Sequence, residues 1–402
     1  FVDFEDERVP VLNAIFNTEF NALGISQGQV MELDELFQLP GFVGKLNSFS
    51  AENPEVSWYQ PKVPAIESFP YMKVVMDLAG RVAESIVMKM PRSEVVEGEW
   101  GSWVDADPVS RLERDYRTAG LVGELCRRYQ VKGWRAITPI SMVDVGDDRV
   151  YFQEKESGVP FVKWEGDKVR VAKKVAKALA EFHHYSAETF LDEFPRVGFN
   201  EEFKAIAKMV GMKVGLEAYA PFVDILERSS GLFSGCCHNS FHPSNVLIDG
   251  ELIVIPDWEL TSVSSIQDDL IRLLEGPVRF SDKDKEEVLG VYFRRRQRFF
   301  PHWKNPDYCI WEKLNFIYDI RRPMMHLWAA KHLLDKGKDK AAGVNVRKCF
   351  DAIRRVREQK KEFGKKGLPI VVSIILRETD IDRFERSLKD GLRSSYLQSV
   401  SP

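Results

Sequence analysis

Eight consecutive residues, His238-Asn239-Ser240-Phe241-His242-Pro243-Ser244-Asn245, bring two imidazoles, two hydroxyls and two amides together, and Asp257-Trp258-Glu259 follows a short way on. Far upstream, Lys89 is the single charge in the apolar run Ser85-Ile86-Val87-Met88-Lys89-Met90. Oxygen donors such as an amide and a carboxylate suit a hard divalent cation. A lysine ammonium suits phosphate oxygens. Phosphoryl transfer asks for few parts: a lysine to grip the phosphates, a helix carboxylate to position it, a carboxylate and an amide for magnesium, and a base to orient the acceptor hydroxyl.

The surrounding sequence supplies elements to carry such groups. Met72 to Leu78, Gly80-Arg81 and Glu84 to Met90 read as a hairpin whose second strand holds Lys89. Asp107-Pro108 opens a helix, with Asp as N-cap and Pro in the first turn, and apolar spacing continues it to Leu125. Val150 to Glu154 is a strand, and Val169 to Tyr185 a strong helix. Val246–Ile248, Asp249-Gly250 and Leu252–Ile255 form a second hairpin, because Asp-Gly between two apolar runs is a turn signal. From Ile266 to about Lys361 the pattern is mostly helical. Val11 to Leu23 has helical spacing, Leu39 to Lys62 reads as loop, and Leu368 to Leu376 is a β-branched strand or buried run.

The order of these pieces resembles the aminoglycoside phosphotransferase and choline kinase-like family. Its catalytic loop reads His-Gly-Asp-x-His-Pro-x-Asn, and His238, His242, Pro243 and Asn245 match it in register. Ile255-Pro256-Asp257-Trp258-Glu259 resembles the family's Ile-Asp-Trp-Glu. The resemblance covers about residues 70–335 and implies an α+β, two-lobed protein-kinase-like fold. It implies an N-terminal extension (1–24), a small nucleotide-binding lobe (25–155), a larger helical lobe with catalytic loop and acceptor pocket (156–365), and a C-terminal extension (366–402). It also implies ATP and Mg2+ as cofactors and a small-molecule hydroxyl as acceptor. Asn245 and Asp257 are carried over as magnesium ligands and Lys89 as the phosphate-gripping lysine. Glu113 is carried over as that lysine's partner, and Gln153, Glu154 and Lys155 as the inter-lobe segment holding adenine by its backbone. His238, Ser240 and Asn245 form the catalytic set, Asp269 braces the loop, and His183 is structural.

Two departures stand out. Ser240 occupies the family's aspartate position. A serine hydroxyl has no comparable basicity, and losing a general base removes about 10²–10⁴-fold of rate. Three explanations stay open: a natural pseudokinase acting as scaffold or regulator, an enzyme inactivated by substitution, or a cleft repurposed for non-kinase biosynthetic chemistry. Asp249, in a turn, is a poor substitute base, and His242 matches a structural position. The second departure is the phosphate-covering loop. No glycine lies between Lys45 and Gly80, which leaves Ser68 as the candidate for that role.

Composition narrows the rest. The chain has 402 residues, 44% hydrophobic and 29% charged, with a net charge of -4, so bulk charge favours neither nucleic acid nor membrane. No run is long and apolar enough to span a bilayer. The cysteines Cys126, Cys236, Cys237, Cys309 and Cys349 match no zinc spacing and fit a reducing, cytoplasmic compartment. Arg294-Arg295-Arg296 beside Phe299, Phe300 and Trp303 reads as a basic helix face over buried aromatics rather than a nucleic-acid patch. Glu97 to Trp103 reads as a polar loop.

Overall fold

The computed structural model describes residues 56–59, 71–78, 85–91, 108–145, 148–154, 158–196, 234–305, 310–335 and 337–365, with residues 382, 385, 386 and 389. The Val11–Leu23 helix, Ser68, the Glu97–Trp103 loop, Lys155, Cys309 and the Leu368–Leu376 run lie outside the described residues. The chain divides into two compact units, and the segment Ser244–Thr261 groups with the first.

Unit 1 is sheet-rich. An antiparallel sheet has the order β1-β2-β3-β6-β5, built from β1 (Val56–Tyr59), β2 (Tyr71–Leu78), β3 (Ser85–Pro91), β5 (Pro139–Val145) and β6 (Asp148–Glu154). A second sheet, β4-β10-β9-β7, joins β4 (Trp134–Ala136), β7 (Val159–Pro160), β9 (Leu247–Asp249) and β10 (Leu252–Ile255). The Lys89 hairpin and the Asp249-Gly250 hairpin form as the sequence predicts. Gly250 takes φ +57°, a left-handed turn that glycine enters without a Cβ penalty. β1 falls inside the stretch read as loop, and β4 and β5 follow no alternation strong enough to announce them.

Helix α1 (Pro108–Arg128) belongs to unit 1. Leu112, Asp115, Ala119, Val122 and Leu125 lie on its buried stripe, three or four residues apart, as a 3.6-residue repeat requires. Leu112 packs with Tyr151 of β6, and Tyr116 meets the Tyr151 ring edge-on at 5.5 Å.

Unit 2 is mostly helical: α2 (Lys168–Thr189), α3 (Ile266–Glu275), α4 (Asp282–Phe299), α5 (Ile310–Asp335) and α6 (Asp339–Lys365), with one ladder of β8 (Ser234–Cys237) and β11 (Ser262–Ser265). Asp167 caps α2 through the Arg170 N–H, and Ser281 with Asp284 forms a reciprocal capping box on α4. The basic run is absorbed into packing. Arg295 pairs with Glu181 and lies over Phe299, and Arg296 is buried over Phe300 and Trp303. Cys236, Cys237 and Cys349 are buried free thiols. Among the described residues, no helix is long and apolar enough to cross a membrane.

Candidate active site

The phosphate-type groups gather in unit 1. β3 delivers Lys89 into the interior opposite Tyr151 on β6, and its side chain is fully buried. A buried ammonium is expensive to keep charged unless it is paired. Here Lys89 Nζ donates to Asp257 Oδ1 at 2.7 Å and to Asp115 Oδ2 in a second, very short contact. It also lies 5.4 Å from the Tyr151 ring centroid. Burial alone would lower the lysine's pKa, but Asp115, Asp257 and Glu259 outweigh it and hold the ammonium above its ordinary value.

Asp115, rather than Glu113, is therefore the helix carboxylate at the lysine. Glu113 is half-exposed and pairs with Arg149 instead. Helical phase explains the difference. Glu113 is one residue, about 100° of rotation, from the buried Leu112, whereas Asp115 comes back to the Leu112 face at i+3. Periodicity in the sequence carries this signal, and Leu112, Ala119, Val122 and Leu125 mark the face.

Asp115 has a second duty. Its Oδ1 accepts the Trp258 backbone N–H at 2.8 Å, which ties α1 to the turn after β10. Within that turn Asp257 has φ 61°, an uncommon conformation for a non-glycine residue. The turn is closed by Trp258 Nε1 donating to the Ile255 carbonyl at 2.8 Å and by Thr261 Oγ1 donating to the Trp258 carbonyl at 2.7 Å. The carbonyl of Glu259 accepts from Arg114 at 3.2 Å.

One oxygen each from Asp115, Asp257 and Glu259 lies within 4.8 Å of the others, all three residues being buried. Three carboxylates face one lysine, and the excess charge shows at Glu259. Burial first, then Asp257 and Asp115, push its carboxyl up to about 7 against the pull of Lys89. Glu259 Oε2 and the Tyr151 hydroxyl have no hydrogen-bond partner among the described residues. Such an all-oxygen, under-neutralised donor set fits a hard divalent cation. In the ligand-free protein Glu259→Gln is expected to be near neutral at pH 4.5. It becomes stabilising relative to the parent as pH rises from 4.5 to about 7 and levels off above that at about 3 kcal/mol. The sign follows because a raised native pKa gives stability that is present in acid and lost as the proton leaves. Melting curves of both proteins at pH 5 and pH 8 check it, and an equal offset at both values would refute it.

The other carried-over residues of this unit are less engaged. Gln153 is buried in β6 with Oε1 lacking a partner among the described residues. The backbone N–H of Glu154 donates to the Thr138 carbonyl at 3.0 Å. Asn245 is buried at the end of a single 3-10 turn, Pro243–Asn245, just before β9.

The loop carrying Ser240 belongs to unit 2 and is braced from α3. Asp269 accepts the backbone N–H groups of His238 (2.9 Å) and Asn239 (2.8 Å), and His183 Nε2 donates to it at 3.0 Å. Tyr292 completes the chain by donating its hydroxyl to His183 Nδ1 at 2.8 Å. Burial lowers the pKa of His183, against the hydrogen bond and charge of Asp269. Burial would raise the Asp269 carboxyl, but the hydrogen bond from His183 and the backbone N–H of His238 hold it below its ordinary value. Asn239 stands at the glycine position of the family pattern with φ 61°, which asparagine tolerates better than most residues. Its amide donates to Ser262 Oγ at 2.7 Å and accepts from Ser264 Oγ at 3.0 Å. Ser240 Oγ lies 3.0 Å from His238 Nδ1.

His183, Cys237 and Asp269 also place one donor atom each within 4.8 Å of one another. Metal binding requires a thiolate. Burial and the Asp269 charge push the Cys237 thiol well above its ordinary range, and the hydrogen bonds of His183 and Asp269 account for both groups. The cluster is a brace.

The structure is α+β, a sheet-rich part with a mostly helical remainder. Residues 125–307 match the model of the phosphotransferase enzyme family. A choline kinase from Cryptosporidium parvum Iowa II shares the fold at 12% identity, with 83% of this chain and 99% of that one covered and a TM-score of 0.51. An aminoglycoside 2'-phosphotransferase-IIIa, solved as its GDP complex, aligns at 12% identity over 77% of this chain and 97% of its own, with a TM-score of 0.49. A search of curated protein sequences finds no match. The chain is thus similar to the phosphotransferase enzyme family over residues 125–307 and shares the kinase-like fold of that choline kinase.

Proposed function

We propose that this protein is a small-molecule phosphotransferase that binds ATP with Mg2+ and acts on a hydroxyl-bearing acceptor in a cytoplasmic setting. The observation that carries this reading is the buried Lys89 ammonium shared by Asp115 and Asp257, with the under-neutralised Glu259 beside them. Lys89 would align the terminal phosphates. Asp257, Asp115 and Glu259, with Asn245 by resemblance, would hold the cation. When bound, the cation neutralises charge on the phosphates.

Ser240 favours a second reading, a nucleotide-binding pseudokinase serving as scaffold or regulator, because a hydroxyl alone cannot act as a base at neutral pH. A cleft turned to non-kinase biosynthetic chemistry is a third. ATP titration with and without Mg2+, read as melting temperature, separates the first two from the third. Mg2+-dependent stabilisation is expected; at 100-fold over Kd it amounts to about 2.7 kcal/mol. The absence of any shift with ATP in either condition would sink both nucleotide readings and leave the third.

A further inference from the structure

We propose that the end of α3 is a binding site for a small oxyanion that also carries an O–H, the chemistry of hydrogen phosphate or of a hydroxy acid. The inference goes beyond the phosphotransferase reading and stands on unit 2 alone.

Four segments bring cations to one carboxylate. Glu275 is the last residue of α3, and its side chain is buried. Its Oε1 accepts from Lys285 Nζ of α4 at 2.8 Å and from Arg322 Nη2 of α5 at 2.9 Å. Tyr318 donates its hydroxyl to the same oxygen at 3.4 Å. Lys348 of α6 donates to the Glu275 backbone carbonyl at 3.1 Å and has no carboxylate within ion-pair distance among the described residues. Arg279, exposed on the segment after α3, makes no ion pair among the described residues either.

The charges do not cancel. Asp319 takes a share of Arg322 at 2.9 Å but also holds Arg355 at 3.2 Å. Glu275 is left to answer Lys285, Lys348 and the rest of Arg322. Burial lowers the Lys348 ammonium below its ordinary value, Glu275 pulls it up, and Lys285, Arg322 and Arg279 push it down. Cations gathered in excess around one carboxylate favour a further anion, and lysine and arginine heads suit its oxygens.

A donor and an acceptor stand open on the same face. Arg322 and His326 are one turn apart on α5 and both buried, and neither Arg322 Nε nor His326 Nε2 has a hydrogen-bond partner. Neighbouring hydrogen bonds orient the imidazole. Asn345 Nδ2 donates to the Ala341 carbonyl at 3.1 Å, which turns its Oδ1 to His326 Nδ1 at 3.4 Å. An amide oxygen can only accept, so Nδ1 carries the ring hydrogen and Nε2 keeps its lone pair. Burial, with the charges of Arg322 and Lys348, pushes the His326 pKa down to about 3 against the pull of Glu275. Nε2 faces Glu275 Oε2 at 3.8 Å. Two acceptors set against each other call for a donor between them, and a ligand O–H supplies it.

The site lies beside the Ser240 loop. Asp269, in the first turn of α3, takes the N–H groups of His238 and Asn239. Two turns further, a Cβ on Gly276 would stand 3.0 Å from Pro243 Cδ in the same loop. The helix therefore runs along the loop, and the cations gather at its far end, about 10 Å from the Asp269 brace.

Isothermal titration calorimetry with inorganic phosphate, lactate and propionate, at ionic strength matched with sodium chloride, tests the site. Phosphate and lactate should bind, and propionate, which lacks the hydroxyl, should bind about fivefold or more weakly than lactate. Lys348→Met should weaken the phosphate Kd about tenfold or more. Arg279→Gln, at an exposed position that leaves the core intact, should weaken it about two- to fivefold and keeps the test open if Lys348→Met does not fold. His326→Phe should erase the difference between lactate and propionate. Tighter phosphate would mark a phosphorylated ligand, and tighter lactate a hydroxy acid. No binding of either anion, a phosphate Kd unchanged by both Lys348→Met and Arg279→Gln, or equal binding of lactate and propionate would each overturn the proposal.

Discussion

Lys89→Met is expected to destabilise the protein by about 3–5 kcal/mol at neutral pH, because it removes one partner from a buried ionic cluster and leaves the others uncompensated. Methionine fills a similar volume, so the loss reads charge rather than packing. Asp115, Asp257 and Glu259 would then share a buried site without the ammonium that now pairs two of them. Their carboxyls must take up protons to stay inside, so the deficit should shrink as pH falls toward 4.5. Urea denaturation at pH 5 and pH 7.5 reads both the size and the trend. Glu113→Gln, at the half-exposed neighbour on the same helix, should stay within about 0.5 kcal/mol of the parent. Equal, small effects from the two substitutions would refute the assignment of Asp115 as the lysine's partner.

Asp269→Ala should be of similar size, about 3–5 kcal/mol, for a different reason. The carboxylate accepts three hydrogen bonds, from two backbone N–H groups and from His183, and alanine orphans all three donors in the interior. The Asp269 carboxyl is held below its ordinary value, so its contribution is present above the unfolded pKa. It is lost as pH falls through the native pKa. The gap between parent and Asp269→Ala should therefore persist from pH 5 to 8 and close only in strong acid. A variant that melts with the parent at pH 7 would show that the loop is held by Asn239 and its serine partners alone.

The hairpins and the helices of unit 2 were legible because their signals are local. An Asp-Gly turn needs no partner elsewhere, and a lone lysine in a β-branched strand marks a position by its oddity. The Asp257 turn was legible by resemblance, since residue type and order survive where most of the sequence has diverged. Asp115 was missed through phase. Glu113 has the residue type that the resemblance implies, while Asp115 stands on the buried stripe that the apolar residues around it record. Tyr151 gave no sequence signal at all. Its place opposite Lys89 follows from the β3–β6 register, a pairing across more than sixty residues that no local pattern encodes. Glu259 as an elevated carboxyl is likewise a product of crowding, which exists only once three separated segments meet.

The bond from Asp115 to both Lys89 and the Trp258 N–H bears on how activity could be switched. In protein kinases the helix that positions the lysine is a control point, set by where it sits. Here a single short carboxylate serves strand β3 and the turn after β10 together. A rotation of α1 large enough to release the lysine also orphans a buried amide, so the inactive position is penalised twice. A swing of α1 thus breaks contacts to the strand and to the turn at once, and the helix is fixed to both.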